Sequence, residues 1–559
     1  MRSQRNWGVG DFTDVSSLID WAAQNGAGFV RLTPLHQPLA SAYARSGTEG
    51  IQRYGNRFFY NRLFIDVEAV DEFADAQSVR NMVYGPAFQG RLEVFRQAPV
   101  LDAMGVYALK LDVLRRLFEV FAETHLNKGT RRANDFNAYV ASLGPDGPLY
   151  AAFEALGDRF WSESPLSALA AEALGDVRSD VRGQAAPDRA PAWRDWRDWP
   201  EAYRDCHHHE VQQFIKAHGE QIQFYLYMQW LAHDQLTQLG HRAWQQHLSI
   251  GLMATVEVSP HPFGAETWAH PDMVLPTLRL ETGPVGPETA PLNPVFLRAG
   301  GYEQWHGLLN QAMQPAGAVV LEGLGQQLFG VWHHHAHGQA SVPVQWGCAD
   351  ELLAILAGLS RENRCLILSG LNDSLADTGD QNAGGPFGIR SQAALWTVPA
   401  PVGLAGVAGT IDTEEDGEVP ADEPVDWSHR LQGRSMVSLT PVLAGLGLLP
   451  ISGLDLWSFW HGHDVQALSQ PLEEAGLQTW GQAWMQAWVR ARVLQRMAIL
   501  SALDDAGLLP SHVTTDPTSV KAVVDDLALP VYTLLARTEA QLVVFNPLDV
   551  VGDEAHATA

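Results

Sequence analysis

A chain of 559 residues with 37 basic and 64 acidic side chains carries a formal charge of −27, which opposes nucleic-acid binding because Lys and Arg contacts to phosphate supply most of that affinity. No stretch approaches the roughly 18 consecutive apolar residues of a membrane helix, and Met1-Arg-Ser-Gln-Arg5 leads into no apolar segment that would read as a secretory signal, so a cytoplasmic protein with no membrane partner is expected. Cys206, Cys348 and Cys365 are far apart and show no CxxC spacing, which argues against a disulfide framework or a cysteine zinc site.

Along the chain, short apolar runs bounded by turn residues alternate with amphipathic stretches, the pattern of βα units and a parallel sheet. In order, the pattern predicts a helix over 15–25, a strand over 28–32, helices over 109–124 and 211–239, strands over 250–258 and 318–321, a helix over 349–360 and a strand over 364–369. Weaker strand signals follow near 436–439 and 447–451, with a last helix over 477–505. Residues 176–200 are rich in Arg, Asp, Pro and Trp, and the spacing of Trp193, Trp196 and Trp199 reads as packing rather than as a sugar-stacking platform. The acidic run 412–426 carries Gly and Pro and reads as a solvated loop. The runs His207-His208-His209 and His333-His334-His335-Ala336-His337 are dense in imidazole, the commonest zinc ligand. Consecutive residues do not all point to one side, so no metal is expected.

Six blocks carry more specific information. The chain opens on Arg2-Ser-Gln-Arg-Asn-Trp-Gly-Val-Gly-Asp-Phe12 and continues with Phe29-Val-Arg-Leu-Thr-Pro-Leu-His36. Later come Trp196-Arg-Asp-Trp-Pro-Glu-Ala-Tyr-Arg-Asp205, Phe224-Tyr-Leu-Tyr-Met-Gln-Trp230, Gly264-Ala-Glu-Thr-Trp268 and Gly317-Ala-Val-Val-Leu-Glu-Gly323. In content, order and spacing these blocks resemble the amylomaltases, the 4-α-glucanotransferases or disproportionating enzymes, closely to about residue 375 and thinly beyond.

The resemblance implies an α/β fold, a (β/α)8 TIM-type barrel with helical insertions. Residues 1–70 would start the barrel, 71–220 would form a mainly helical insertion subdomain, and 221–559 would complete the barrel. Amylomaltases place a barrel strand immediately before the block that starts at Arg2. That first strand is therefore expected either upstream of the given start or missing. The activity implied is transfer of a 4-α-glucan segment between maltodextrin or glycogen chains through a covalent intermediate, with no cofactor; an α-1,4-glucan or maltooligosaccharide is the implied partner, and the identity of any protein partner stays open.

Retaining transfer needs two carboxyl groups, a nucleophile and an acid/base, about 5–5.5 Å apart. Aligned with the family, Glu322 stands at the position of the nucleophilic Asp, Val320 at a neighbouring Arg and Gly323 at a His. Gly370 stands where the general acid belongs, and Asp373 is too far along the loop to replace it. The family's third carboxylate falls at Pro450-Ile-Ser452 or at Pro441-Val-Leu443, neither with His-Asp, and Asp455 is a poor substitute. The family's Arg-Asp pair reads Ala254-Thr255, in a block that continues Val256-Glu257-Val258-Ser259. Trp7, Asp11, His36, Asn61 and Glu266 persist in the substrate-binding region, although Asp11 could equally cap a helix. The expectation is a degenerate member, largely or wholly inactive, with a glucan- or partner-binding role; the alternative is a divergent active transferase using Glu322 as nucleophile.

Overall fold

The computed structural model describes residues 3–39, 54–162, 196–275, 291–324, 349–363, 365–369 and 499–537, the short strands 278–280, 332–334, 397–399, 436–438, 451–453 and 542–544, and a few single positions such as Gln327 and Trp460. Helix α1 (Phe12–Gln24) begins at a capping box in which Asp11 accepts from the Thr13 and Asp14 N–H groups and Asp14 reaches back to the Asp11 N–H. Its buried face leads into strand β1 (Phe29–Arg31). The chain then forms an antiparallel pair, β2 (His36–Pro38) with β3 (Tyr54–Tyr60).

The helical part includes α2 (Ala103–Thr124), α3 (Asp146–Ser162) and α4 (Gly219–Gln245). Helix α4 presents Tyr227 and Trp230 to Phe121 of α2, with ring centroids 4.9 and 5.7 Å apart. Lys110 of α2 is buried, and its ammonium donates to the Leu63 and Ile65 carbonyls at 2.7 and 2.8 Å. The helix expected over 211–239 is two helices: one over His209–Ala217, which ends at His218, and α4 directly after it. Apolar periodicity runs through the break, so the sequence pattern does not mark it.

Strands β4 (Gly251–Glu257), β5 (Ala318–Glu322) and β6 (Leu366–Ser369) join β1 in a parallel sheet of order β1-β4-β5-β6. All four lie where periodicity places strands. Where the resemblance implies an eight-stranded barrel, the described residues form this four-stranded parallel sheet and no closed barrel. Ile250 and Gly317 lie where the chain enters β4 and β5, and a Cβ at Gly317 would stand 1.9 Å from the Ile250 carbonyl oxygen, so only glycine lets the two backbones approach so closely.

Side chains alternate across a strand, which sorts this sheet into two faces. Val256, Val258, Val319 and Leu321 join a core with α5 (Glu303–Met313) and α6 (Ala349–Asn363). The alternate residues Thr255, Glu257, Val320 and Glu322 occupy the other face, in pairs set by the register Thr255↔Val320 and Glu257↔Glu322. Trp199 is buried against Phe153, Phe160 and Trp268, a packing role like the one expected for it, and Trp193 lies outside the described residues. So do the acidic run 412–426 and most of the helix expected over 477–505.

Candidate functional site

Parallel α/β sheets gather ligands at the carboxyl ends of their strands. Here β1 ends on Arg31, β4 on Glu257, β5 on Glu322 and β6 on Ser369. Three of these four residues are ionisable. The Arg31 guanidinium crosses the intervening strand β4 to form an ion pair with Glu322 Oε1. On the way its Nε donates to Thr255 Oγ1 at 3.3 Å, and Thr255 in turn donates to the Leu32 carbonyl at 2.6 Å. Val320 leaves Glu322 without an arginine on its own strand, and the guanidinium that reaches it comes from a strand nearly three hundred residues away in sequence.

Glu322 is buried. Its second carboxyl oxygen, Oε2, is also buried and makes no hydrogen bond among the described residues. Beside it, Glu257 occupies the matching register position on β4 and is partly exposed. Burial, followed by the neighbouring Glu322 carboxylate, pushes the Glu257 carboxyl up to about 8 against the pull of Arg57. The pair is therefore asymmetric at neutral pH: Glu322 faces a cation, whereas Glu257 keeps its proton. Burial and then the same two carboxyl groups push the Tyr54 phenol of β3 up.

His36 closes one side. Its Nε2 accepts the Glu257 N–H at 3.0 Å, and its ring stands edge-on to Tyr54 with centroids 5.4 Å apart. Burial, with Arg57 nearby, lowers this imidazole to about 3, so it is the neutral form that accepts. Arg57 sits behind, donating to Glu266 from Nε at 3.0 and 3.1 Å and from Nη2, and to the Val258 carbonyl from Nη1.

Of the residues retained in the family's substrate region, the structure brings only His36 directly against the carboxyl pair. Glu266 is buried and committed to Arg57. Asn61 is buried and caps the short helix Arg62–Phe64 by accepting the Leu63 N–H at 2.9 Å. Asp11 caps α1 and pairs with Arg5. Trp7 is only 3% exposed, donates its indole N–H to Glu68 at 2.9 Å and meets Phe88 edge to face. These contacts make it part of the packing. Gly370, Asp373, Asp455 and the segment 441–443 lie outside the described residues, as do all but the backbone of 451–453.

Sequence reading missed Glu257 and Arg31. Glu257 belonged to a block noted for lost charges, and Arg31 sat unremarked in an apolar strand. One signal was present in each case: a charged residue at the last position of an apolar run points to the strand mouth. No group of three or more His, Cys, Asp or Glu side chains that could hold a metal occurs among the described residues, and none of their helices is long and apolar enough to cross a membrane.

Comparison with known proteins connects this arrangement to one family. Residues 1–369 match the family model for 4-alpha-glucanotransferases among the glycoside hydrolases, a match that ends on the last residue of β6. The 4-alpha-glucanotransferase of Haemophilus influenzae is 26% identical over 97% of this chain and 70% of its own length, and that of Mycobacterium tuberculosis is 27% identical over 59% of this chain and 42% of its own. Among solved structures, the amylomaltase of Corynebacterium glutamicum superposes with a TM-score of 0.59 at 19% identity, covering 97% of this chain and 65% of that one. The amylomaltase of Streptococcus agalactiae in complex with acarbose superposes with a TM-score of 0.56 at 12% identity, over 97% of this chain and 87% of its own. The chain belongs to the 4-alpha-glucanotransferase family.

Proposed function

We propose that this member of the family binds α-1,4-glucan at the mouth formed by β1, β4, β5 and β6, within a (β/α)8 barrel, and that it has lost most of the family's capacity to transfer a 4-α-glucan segment. The reading places it in the cytoplasm, acting on maltodextrin or glycogen without a cofactor. The observation that carries it is the state of Glu322. One oxygen of this carboxylate is tied to Arg31 and the other is buried. Its side chain is also one methylene longer than the Asp of the family, and a misplacement of about 1 Å at a reacting centre can cost about 10²-fold in rate. Gly370, at the family's acid position, has no proton to give, and general acid–base help is worth about 10²–10⁴.

Incubation with maltotriose tests the reading, because disproportionation releases glucose. The expected result is glucose release more than about 10³-fold below the ~10 s⁻¹ typical of enzymes. Release close to that typical rate, abolished in Glu322→Gln, would show that the transfer machinery is intact. Titration with maltoheptaose tests the binding half, and absence of any saturable binding would remove the glucan assignment.

A further inference from the structure

We propose that Glu257 and Glu322 form a re-sited carboxyl pair, in which Glu257 donates the proton to the departing glycosidic oxygen and Glu322 attacks the anomeric carbon. The inference rests on the glucan reading of this mouth and names the acid for whatever turnover remains.

Geometry carries the assignment. Glu257 and Glu322 are register partners at the last positions of two adjacent parallel strands, so both side chains leave the same face of the sheet. Neighbouring strands run about 4.8 Å apart, so two side chains leaving matched positions on one face can flank a single glycosidic bond, as the two carboxyl groups of a retaining glycosidase do. The surroundings differentiate the two groups. Arg31, held by Thr255, engages Oε1 of Glu322 and leaves Oε2 unpartnered among the described residues. Glu257 forms no ion pair among them and is the more exposed of the two. Among the described residues, the other ionisable groups around the pair are His36 and Tyr54 from the β2–β3 hairpin and Arg57 behind them. One carboxyl paired with a guanidinium beside one that keeps its proton is the division of labour the reaction needs. The raised position of the Glu257 proton agrees with this division.

The step balances without any co-reactant. Glu322 must turn its buried Oε2 out to the anomeric carbon, which keeps turnover low; it attacks as the bond from that carbon to the leaving oxygen breaks, and that oxygen takes the Glu257 proton. Water or an acceptor hydroxyl then attacks the same carbon, the ester to Glu322 breaks, and the proton of the attacking hydroxyl returns to Glu257. Net configuration is retained.

The experiment compares maltotriose, whose leaving group needs protonation, with α-maltosyl fluoride, whose leaving group does not. Glu257→Gln should lower the residual turnover of maltotriose by at least about 10²-fold. It should leave fluoride release in the first turnover within a few fold of the unsubstituted protein, with azide restoring steady turnover and yielding the α-azide. Glu322→Gln should lose both substrates, with no rescue. Unchanged maltotriose turnover in Glu257→Gln, or equal loss on both substrates without azide rescue, overturns the proposal. So does an unsubstituted protein that binds maltoheptaose but turns over neither substrate; failure to bind maltoheptaose instead overturns the glucan reading beneath it. Should Glu257→Gln not fold, the unsubstituted protein still decides: its rate on maltotriose should fall as pH rises through about 8, and its rate on the fluoride should not. The same alkaline limb on both substrates would refute the assignment.

Discussion

Arg31, on the outermost described strand of the sheet, reaches across β4 to bind Glu322 on β5, resting its Nε against Thr255 on the way. The contact joins three strands at the mouth of the site. It also neutralises a carboxylate that would otherwise be buried beside a second carboxyl group.

Removing one member of a buried pair strands the other, at about 3–5 kcal/mol, whereas replacing both with apolar groups is often neutral. Arg31 keeps some contact with water, its side chain being 19% exposed. Arg31→Ala should therefore cost about 3 kcal/mol, at the low end of that range. Arg31→Met combined with Glu322→Leu should cost clearly less than Arg31→Ala alone. Guanidinium unfolding followed by circular dichroism measures both, and a double variant less stable than the single one would refute the pairing.

The pH dependence of stability should carry two opposed slopes. Glu257 is raised from 4.5 to about 8 in the fold, so between those values the folded chain holds a proton that the unfolded chain has released. Its stabilising contribution is complete below about 4.5 and lost as pH rises to about 8. His36 is lowered from 6.5 to about 3, so its contribution is complete above 6.5 and lost as pH falls through that window. Melting temperatures of the unsubstituted protein and of Glu257→Gln should diverge in favour of the variant from pH ~5 to ~8 and run parallel above. Parallel curves throughout would mean that Glu257 titrates normally.

Arg57 and Glu266 form the most enclosed ion pair near the site, with side chains 4% and 3% exposed. Glu266→Ala should cost about 3–5 kcal/mol by leaving the guanidinium buried and unpaired. Loss of maltoheptaose affinity should follow only where the variant is partly unfolded. A stable Glu266→Ala protein with lost affinity would instead return Glu266 to the substrate.

Trp7 yields a parallel contrast. As a buried ring packed on Phe88 and tied to Glu68, it should cost about 3–5 kcal/mol on truncation to Ala. The folded fraction should bind maltoheptaose as before. A stable Trp7→Ala variant with much weaker binding would show that the ring meets the sugar.

The sequence by itself determined the four strands of the parallel sheet and the start of α1, but neither the β2–β3 hairpin nor the break between Ala217 and Gly219. Strands β1, β4, β5 and β6 are apolar runs bounded by turn residues, and α1 opens on an Asp whose preference for the cap position is local chemistry. Periodicity and capping are properties of neighbouring residues, so they can be read without a fold. The family blocks likewise located Glu322 as the carboxylate of the nucleophile position. What only the tertiary structure decided is which charges meet. The register of two parallel strands set Glu257 beside Glu322 although they lie 65 positions apart in the chain, and the sheet order brought Arg31 to Glu322 across a separation of 291. No local pattern encodes either contact, because a side chain's electrostatic surroundings are built by whichever strands and helices pack around it. The same reason explains why Trp7, Asp11, Asn61 and Glu266, retained in the linear alignment, lie in the structure as packing, caps and a buried ion pair.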